Sequence, residues 1–163
     1  MKIVLLSGIP ASGKSCFGKW LQKEKGFIYW DYENETLEDV GQRADIYIGT
    51  DHDFRSLLAM AGNIKNTVVI DWGFPPDIMM NEVRWLKEMG ADIWWFDGDR
   101  DVARASFLKR ATVSEALLDI QMGKIERYWR DIKDLFGENM LNVISAGPVY
   151  IQPEELYKMV FGK

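Results

Sequence analysis

Five short apolar runs, rich in β-branched and aromatic residues, alternate along the chain with segments of helical periodicity. Apolar runs of roughly four to eight residues that are bounded by polar or turn residues predict buried strands. Regular alternation of strand and helix predicts βα units around a parallel sheet, so the expected fold class is α/β. The predicted strands run from Lys2 to Ser7, Phe27 to Trp30, Thr67 to Ile70, Asp92 to Phe96 and Asn142 to Ser145.

Helices are predicted between these strands from apolar spacing and from the glycines and prolines at their ends. The helix Lys14 to Lys25 is followed by Gly26, because glycine readily takes the left-handed conformation that closes a helix. Proline near the start and glycine after the end mark a second helix, Pro76 to Met89, in the same way. Further helices are predicted at Arg100 to Arg110, Ser114 to Phe136 and Pro153 to Phe161.

The segment from Asn34 to Lys65 has a weaker pattern, which predicts helix with an interruption around Tyr47 to Asp53. The sequence shows no linker, repeat or low-complexity run, so residues 1–163 are expected to form a single domain with a helical insertion around 33–66. An open α/β sheet binds its ligands at the carboxyl ends of its strands, and the polar residues there are the first functional candidates.

Composition narrows the class of protein. The 163 residues are 47% hydrophobic and 28% charged, as expected of a globular domain that needs neither disulfides nor a structural metal. One cysteine, Cys16, and one histidine, His52, exclude an internal disulfide and a Cys/His metal cluster and favour a reducing compartment. With no signal-peptide pattern and no run of about 20 apolar residues, we expect a cytoplasmic protein without a membrane partner.

One segment carries a specific chemical signature. The pattern G-x-x-x-x-G-K-[ST] is met at every fixed position by Gly8, Ile9, Pro10, Ala11, Ser12, Gly13, Lys14 and Ser15. Glycines let successive backbone N–H groups turn toward a phosphate, and the helix that follows points its positive end at the same anion. Lys14 is then placed for the β- and γ-phosphates of a purine triphosphate and the Ser15 hydroxyl for Mg²⁺. Cys16, the next residue, is a further candidate nucleotide contact, and packing against the sheet is the alternative role.

With this loop the chain resembles the small P-loop kinases, a group that includes adenylate, shikimate, gluconate and polynucleotide kinases. The resemblance extends over nearly the whole chain in the order of strands and helices, but only the loop is motif-specific, and its wording is closest to the polynucleotide kinases. It implies a three-layer P-loop NTPase fold whose five-stranded parallel sheet has the order 2-3-1-4-5. It also implies an acceptor-binding region after the second strand and an arginine-bearing lid after the fourth.

Asp71 follows the third predicted strand. An apolar strand that ends in aspartate has the form of a Walker B position, where the carboxylate holds Mg²⁺ directly or through water. The alternative is a turn or helix-capping aspartate, because Gly73 and two prolines follow closely.

Asp31 follows the second strand. Kinases that resemble this chain carry an aspartate there that faces the acceptor hydroxyl or Mg²⁺, and such a carboxylate can accept the hydroxyl proton during transfer. An ordinary exposed turn residue is the alternative, and Glu33 and Asp53 are weaker candidates for the same role.

Basic residues after the fourth strand suit a lid, because phosphoryl transfer spreads negative charge over several oxygens. Arg104 and Arg110 are the best matches to the family's catalytic and nucleotide-binding arginines, in a short lid around 104–115. The paired lid arginines of adenylate kinases are not evident, and Arg127 and Arg130 are possible substitutes. The alternative is that these are solvated helix charges.

The turn Ala146-Gly147-Pro148 follows the fifth strand. In similar kinases this turn lines the adenine through backbone groups, so Gly147 is a candidate nucleotide contact, with an ordinary turn as the alternative. No side chain specifies adenine over guanine.

These features favour a kinase that uses ATP and Mg²⁺ to phosphorylate a small-molecule hydroxyl or phosphate. The alternatives are a nucleic-acid 5′-end kinase, which the net charge of −5 disfavours, and a nucleotide-dependent switch with little turnover. A GTPase is disfavoured because the Asn-Lys-x-Asp guanine motif is missing. The sequence does not specify the acceptor. The region that should bind it has residues that indicate no single class of acceptor: Arg43, Tyr47, Asp51, His52 and Arg55.

Overall fold

The computed structural model describes residues 2–46, 54–59, 64–110, 114–145, 147 and 149–162. Within these residues the chain forms six strands and eight helices. The strands are β1 (Ile3–Gly8), β2 (Ile28–Asp31), β3 (Val68–Asp71), β4 (Asp92–Gly98), β5 (Met140–Ser145) and β6 (Val149–Tyr150). The helices are α1 (Lys14–Lys25), α2 (Leu37–Arg43), α3 (Phe54–Ala59), α4 (Pro76–Glu88), α5 (Arg100–Lys109), α6 (Glu115–Arg127), α7 (Trp129–Phe136) and α8 (Pro153–Phe161).

The strands form one sheet with the order β2-β3-β1-β4-β5-β6. The first five are parallel, which confirms the predicted order 2-3-1-4-5. The prediction of five strands was incomplete, because β6 adds a sixth that runs antiparallel to β5. Two residues, Val149 and Tyr150, are too few to show the alternation by which a strand is recognised.

The central strand β1 is buried along its whole length and is paired on its two edges with β3 and β4. Its register places the carboxyl ends of three neighbouring strands together. Leu6 is paired with Asp71 of β3, Asp71 with Asp31 of β2, and Gly8 with Phe96 of β4. The parallel arrangement therefore brings the loop after β1 close to the two predicted functional aspartates.

Most predicted helices agree with the structure, and α1 and α8 have the predicted bounds. The helix predicted from Ser114 to Phe136 was wrong in one respect, because it is interrupted at Tyr128, whose φ of −99° and ψ of 14° depart from helical values. Neither glycine nor proline marks the break. The buried residues Ile125 and Ile132 lie seven positions apart, so the apolar face continues across the break and the pattern conceals it.

Two short helices, α2 and α3, confirm the helical character of the segment between β2 and β3. The interruption expected around Tyr47 to Asp53, which includes Asp51 and His52, lies outside the described residues. The division into an acceptor region at 33–66 and a lid at 104–115 stays a prediction. Among the described helices, none is long and apolar enough to cross a bilayer.

Helix α1 approaches the sheet closely at Gly18. A Cβ at this position would lie 2.2 Å from Cε2 of Tyr29, a buried residue of β2. The ring has little freedom to move away, because its hydroxyl donates a hydrogen bond to Asp71 at 2.9 Å. Glycine at position 18 therefore allows both the helix packing and the reach of Tyr29 to Asp71.

We expect Gly18→Ala to lower the free energy of unfolding by about 1–3 kcal/mol, because overpacking outweighs the gain in helix propensity. The matched control is Gly123→Ala in α6, where an added Cβ meets nothing within 4 Å. This control should be neutral or stabilising by up to about 1 kcal/mol. Urea denaturation of both variants measures the difference, and equal stability would contradict the proposed close packing.

Candidate nucleotide and acceptor site

The loop after β1 begins at a position that only glycine can occupy. Gly8 has a φ of 143°, and a Cβ there would lie 2.1 Å from the carbonyl oxygen of Phe96. The next residue, Ile9, is buried and donates its N–H to the same carbonyl at 3.0 Å. Gly13, with a φ of 89°, closes the loop at the start of α1. The amino end of α1 is thus presented to the space above the loop, as in phosphate-binding sites.

The Lys14 ammonium group is held by the loop itself. Its Nζ donates hydrogen bonds to the carbonyl oxygen of Ile9 at 2.9 Å, to that of Gly8 at 3.4 Å and to Ser12 Oγ at 3.3 Å. Burial lowers the pKa of Lys14, while the carboxylates of Asp71 and Glu33 act in the opposite direction. A buried cation held only by dipoles and nearby carboxylates is electrostatically suited to meet an incoming phosphate.

Asp71 is joined to the first turn of α1. The Ser15 hydroxyl donates to Asp71 Oδ2 at 2.6 Å, and the Tyr29 hydroxyl donates to the same oxygen at 2.9 Å. The alternative capping role is not what the structure has, because the N-cap of α4 is Pro75 and no side chain caps that helix. Burial and the Asp71 charge raise the pKa of Tyr29, so its phenol stays protonated and remains a donor.

Tyr29 is a site residue that our sequence analysis missed. It lies inside a strand that reads Ile28-Tyr29-Trp30-Asp31, where an aromatic residue is easily taken as core. The available signal was its hydroxyl, since a buried tyrosine usually finds a hydrogen-bond partner.

The donor set at Ser15 and Asp71 fits Mg²⁺. This ion prefers hard oxygen ligands and typically takes one or two carboxylates together with water and substrate phosphates. A hydroxyl and a carboxylate that meet at 2.6 Å beside the loop are such a set. Across the described residues, no group of three His, Cys, Asp or Glu could hold an ion by itself. Phosphate and water oxygens would therefore have to complete the coordination.

Asp31 is fixed by the turn that follows β2. The Asn34 amide donates to both carboxylate oxygens at 3.0 Å, and the Asp31 carbonyl accepts from the N–H groups of Asn34 and Glu35. The turn role considered for Asp31 is therefore real. It does not exclude a functional one, because Asp31 also borders the large cavity described below.

Glu33 lies between the other charged groups of the site. Partial removal of water raises the pKa of Glu33, and the negative charges of Asp71 and Asp31 act in the same direction. Lys14 and a hydrogen bond from the N–H of Gly73 lower it in part. Glu33 therefore has a greater affinity for a proton than an ordinary surface glutamate.

A cavity of about 810 Å³ joins these groups. It is lined by the loop, by Ser15 and by the three carboxylates of Asp31, Glu33 and Asp71. Further lining residues come from the segment that leads into α4, from the end of α5 and from α6. The apolar ones are Phe74, Pro75, Pro76, Phe107, Ile120 and Ile125, and the polar ones are Arg110, Gln121 and Lys124.

The two predicted lid arginines are placed differently. Arg110 follows α5, lines the cavity and lowers the pKa of Lys14 through its charge. Arg104 instead forms ion pairs with α6, to Glu115 at 2.6 Å and to Asp119. The structure therefore brings Arg110, and not Arg104, together with the loop. Lys124, which the sequence analysis did not single out, also borders the cavity and is paired with Asp77 at 2.8 Å.

Two predicted nucleotide contacts, Gly147 and Cys16, remain. Gly147 has a φ of 104° and an open surrounding, while Ala146 and Pro148 lie outside the described residues. Cys16 is exposed on the first turn of α1. The adenine contact at Gly147 and the nucleotide contact at Cys16 stay predictions.

Comparison with known proteins agrees with this architecture. No protein-family model and no curated protein matches the sequence significantly. Among solved structures, a gluconokinase from Sinorhizobium meliloti 1021 aligns with a TM-score of 0.55 at 15% identity over 99% of this chain and 90% of its own. A shikimate kinase from Bacteroides thetaiotaomicron aligns with a TM-score of 0.53 at 17% identity over 86% of this chain and 85% of its own. The chain has the fold of the P-loop kinases.

A third solved structure of the same fold is deoxyadenosine kinase from M. mycoides with bound dATP. It aligns with a TM-score of 0.53 at 12% identity and covers 100% of both chains. At such low identities the likeness extends to the P-loop kinase fold and not to individual residues.

If this P-loop kinase fold binds a triphosphate as its loop indicates, Lys14→Ala should abolish most of the stabilisation by ATP. A ligand at 100 times its Kd stabilises a protein by about 2.7 kcal/mol, which a thermal shift readily detects. Lys19→Ala, an exposed lysine of the same helix, is the matched control and should keep the full shift. An unchanged ATP shift in Lys14→Ala would remove the loop from the nucleotide site.

Proposed function

We propose that this protein is a Mg²⁺-dependent kinase that transfers the γ-phosphate of ATP to a small-molecule hydroxyl or phosphate. The main support is the single cavity onto which the phosphate loop, the Ser15–Asp71 pair and the carboxylates of Asp31 and Glu33 all open. The names of the three structural neighbours, a gluconokinase, a shikimate kinase and a deoxyadenosine kinase, support the same reaction class.

On the nucleotide side, the chain supplies positive charge and oriented N–H groups. In the proposed complex Lys14 exchanges its bonds to the loop carbonyls for phosphate oxygens, and the amino end of α1 faces the same anion. Arg110 adds a second cation from α5. Such fixed charges stabilise the transition state because they need no reorganisation as charge develops on the transferred group.

The metal side depends on the orientation of Asp71. Mg²⁺ at this site would neutralise charge on the β- and γ-phosphates. Ser15 and Asp71 are the residues that would hold it, and the hydrogen bond from Tyr29 holds the Asp71 carboxylate in place. A ligand held by a second residue retains its geometry better than an isolated side chain.

On the acceptor side, the proposed transfer forms a bond between the acceptor oxygen and the γ-phosphorus and breaks the bond from that phosphorus to the bridging oxygen of ADP. The proton of an acceptor hydroxyl passes to a carboxylate. Asp31 is held in place by Asn34, and Glu33, with its raised pKa, is the second candidate. Both border the cavity from the strand β2 side.

A screen of acceptors tests the reaction class directly. Radiolabelled ATP and Mg²⁺ are incubated with the protein and with separate pools of metabolites, nucleosides and DNA 5′ ends. Labelling of a small molecule supports the proposal, and labelling of DNA ends alone would favour the nucleic-acid kinase. Tight ATP binding without labelling of any pool would favour a switch or a binding module.

If Ser15 and Asp71 hold Mg²⁺, Asp71→Asn should raise the Mg²⁺ concentration needed for half-maximal ATP turnover. The amide has lost the charge that binds the cation, although it retains the size of the side chain. Asp92→Asn is the control, because Asp92 lies at the amino end of β4 and pairs with Lys2. A Mg²⁺ titration of Asp71→Asn that matches the parent protein would contradict the metal role.

The proton-accepting role is tested by comparing Asp31→Asn with Glu33→Gln at saturating ATP. We expect Asp31→Asn to lower the single-turnover rate by about 100-fold or more, as for a general base, with little change in ATP affinity. Full activity in Asp31→Asn with a large loss in Glu33→Gln would move the base to Glu33. In that event the rate should fall on acidification at a pH above the ordinary glutamate range, because burial raises the pKa of Glu33.

A further inference from the structure

Tyr150 of β6 contacts the phosphate loop through its hydroxyl. The oxygen lies 3.2 Å from the Ala11 carbonyl oxygen and 3.0 Å from Ser106 Oγ of α5. A phenol has a single proton, so the Tyr150 hydroxyl donates to Ala11 while the Ser106 hydroxyl donates to Tyr150. The ring also lies near the end of the loop, because a Cβ at Gly13 would be 3.7 Å from Tyr150 Cδ1.

Ala11 is a residue whose conformation needs such support. Its φ of 58° is left-handed, which is unfavourable for a residue with a Cβ. Residues in such conformations persist when their surroundings hold them, and they concentrate at ligand-binding sites. Ala11 is buried and lines the cavity at the point where the loop turns toward Gly13. The bond from Tyr150 therefore acts on the one non-glycine residue of the loop, residues 8–15, that has a positive φ.

The sheet fixes Tyr150 independently of the loop. It pairs with Ile144 of β5, and Ile151 beyond it donates its N–H to the carbonyl of Val143 at 3.0 Å. Its neighbour Val149 is 62% exposed, whereas the Tyr150 side chain packs against the core. The pairing of this two-residue strand with β5 therefore holds the Tyr150 ring beside the loop.

Ser106 connects the same contact to a second element that lines the cavity, helix α5. It lies in α5 next to Phe107, which lines the cavity, and one helical turn before Arg110, which also lines it. Tyr150 is thus hydrogen bonded both to the loop and to the helix that leads to the cavity cation.

We propose that Tyr150 is a positioning residue that holds the phosphate loop in its triphosphate-binding conformation through the Ala11 carbonyl, with Ser106 orienting the phenol. The proposal rests on the proposed function only in requiring that the loop binds nucleotide phosphates. Because the contact is to the backbone of the loop, its effect should extend to any polyphosphate, whatever base or sugar is attached.

The experiment measures Kd for Mg²⁺–ATP and for Mg²⁺–tripolyphosphate in the parent protein, Tyr150→Phe, Ser106→Ala and the double variant. Loss of one hydrogen bond predicts a roughly 2- to 12-fold weakening in Tyr150→Phe, equal for the two ligands. Ser106→Ala should weaken both ligands in the same direction. The double variant should be no weaker than Tyr150→Phe, because the two hydroxyls act in one chain of bonds. Tyr157→Phe in α8, whose ring stacks on Phe161, is the control and should leave both Kd values unchanged.

Two results would overturn the proposal. Unchanged Kd values in Tyr150→Phe would show that the loop does not need the phenol, and a lower melting temperature without ligand would then leave it only a structural role. Weakening for ATP but not for tripolyphosphate would make Tyr150 a contact to the nucleoside instead. If the parent protein binds neither ligand, the proposed kinase function fails as well, so the two failures are distinguishable.

Discussion

The site depends on the close approach of two backbones at Gly8. The carbonyl of Phe96 in β4 occupies the space that a side chain at position 8 would fill, and it also accepts the N–H of Ile9. This contact ends β1 and starts the turn of the loop at a fixed place on the sheet. Ile9 is then buried, Gly13 closes the turn and α1 starts at Lys14. The positions of Lys14 and Ser15 therefore follow from a backbone constraint before any ligand is present.

Once the loop is fixed, the positive charge of Lys14 lies close to the negative charges of Asp71 and Glu33. The buried Lys14 cation is stabilised by loop carbonyls and by the charges of Asp71 and Glu33. Asp71 in turn accepts hydrogen bonds from Ser15 and Tyr29. Burial raises the pKa of Glu33 and the charges of Asp71 and Asp31 raise it further, so its proton affinity could not be inferred from its position in the sequence. Phosphate binding would add negative charge where Lys14 now has only dipoles and carboxylates as partners.

Features of the fold and the site could be predicted from the sequence where neighbouring residues determine them. The loop and the bounds of α1 follow from residues next to one another, and the strand order follows from the resemblance that the loop established. The contacts of Tyr29 and Tyr150 join residues 42 and 139 positions apart, so no local pattern could show them. Arg104 was predicted as a lid arginine from the resemblance, but its side chain is paired with Glu115 and Asp119, acids of the following helix. Sequence pattern thus placed the backbone of the site better than its long-range side-chain contacts.

The walls of the cavity bear on how an acceptor is selected. Of the region 33–66, the described residues contribute Glu33 and Asn34 to the cavity. A larger share comes from the segment that leads into α4 and from α6, which contributes Ile120 and Ile125 as well as Gln121 and Lys124. Lys124 is paired with Asp77 of α4, so these two elements are linked to each other as well as to the cavity. An acceptor that reaches Asp31 and Glu33 would therefore share the cavity with apolar and polar side chains of these elements. The apolar ones would select its shape by packing, and the carboxylates its reacting group.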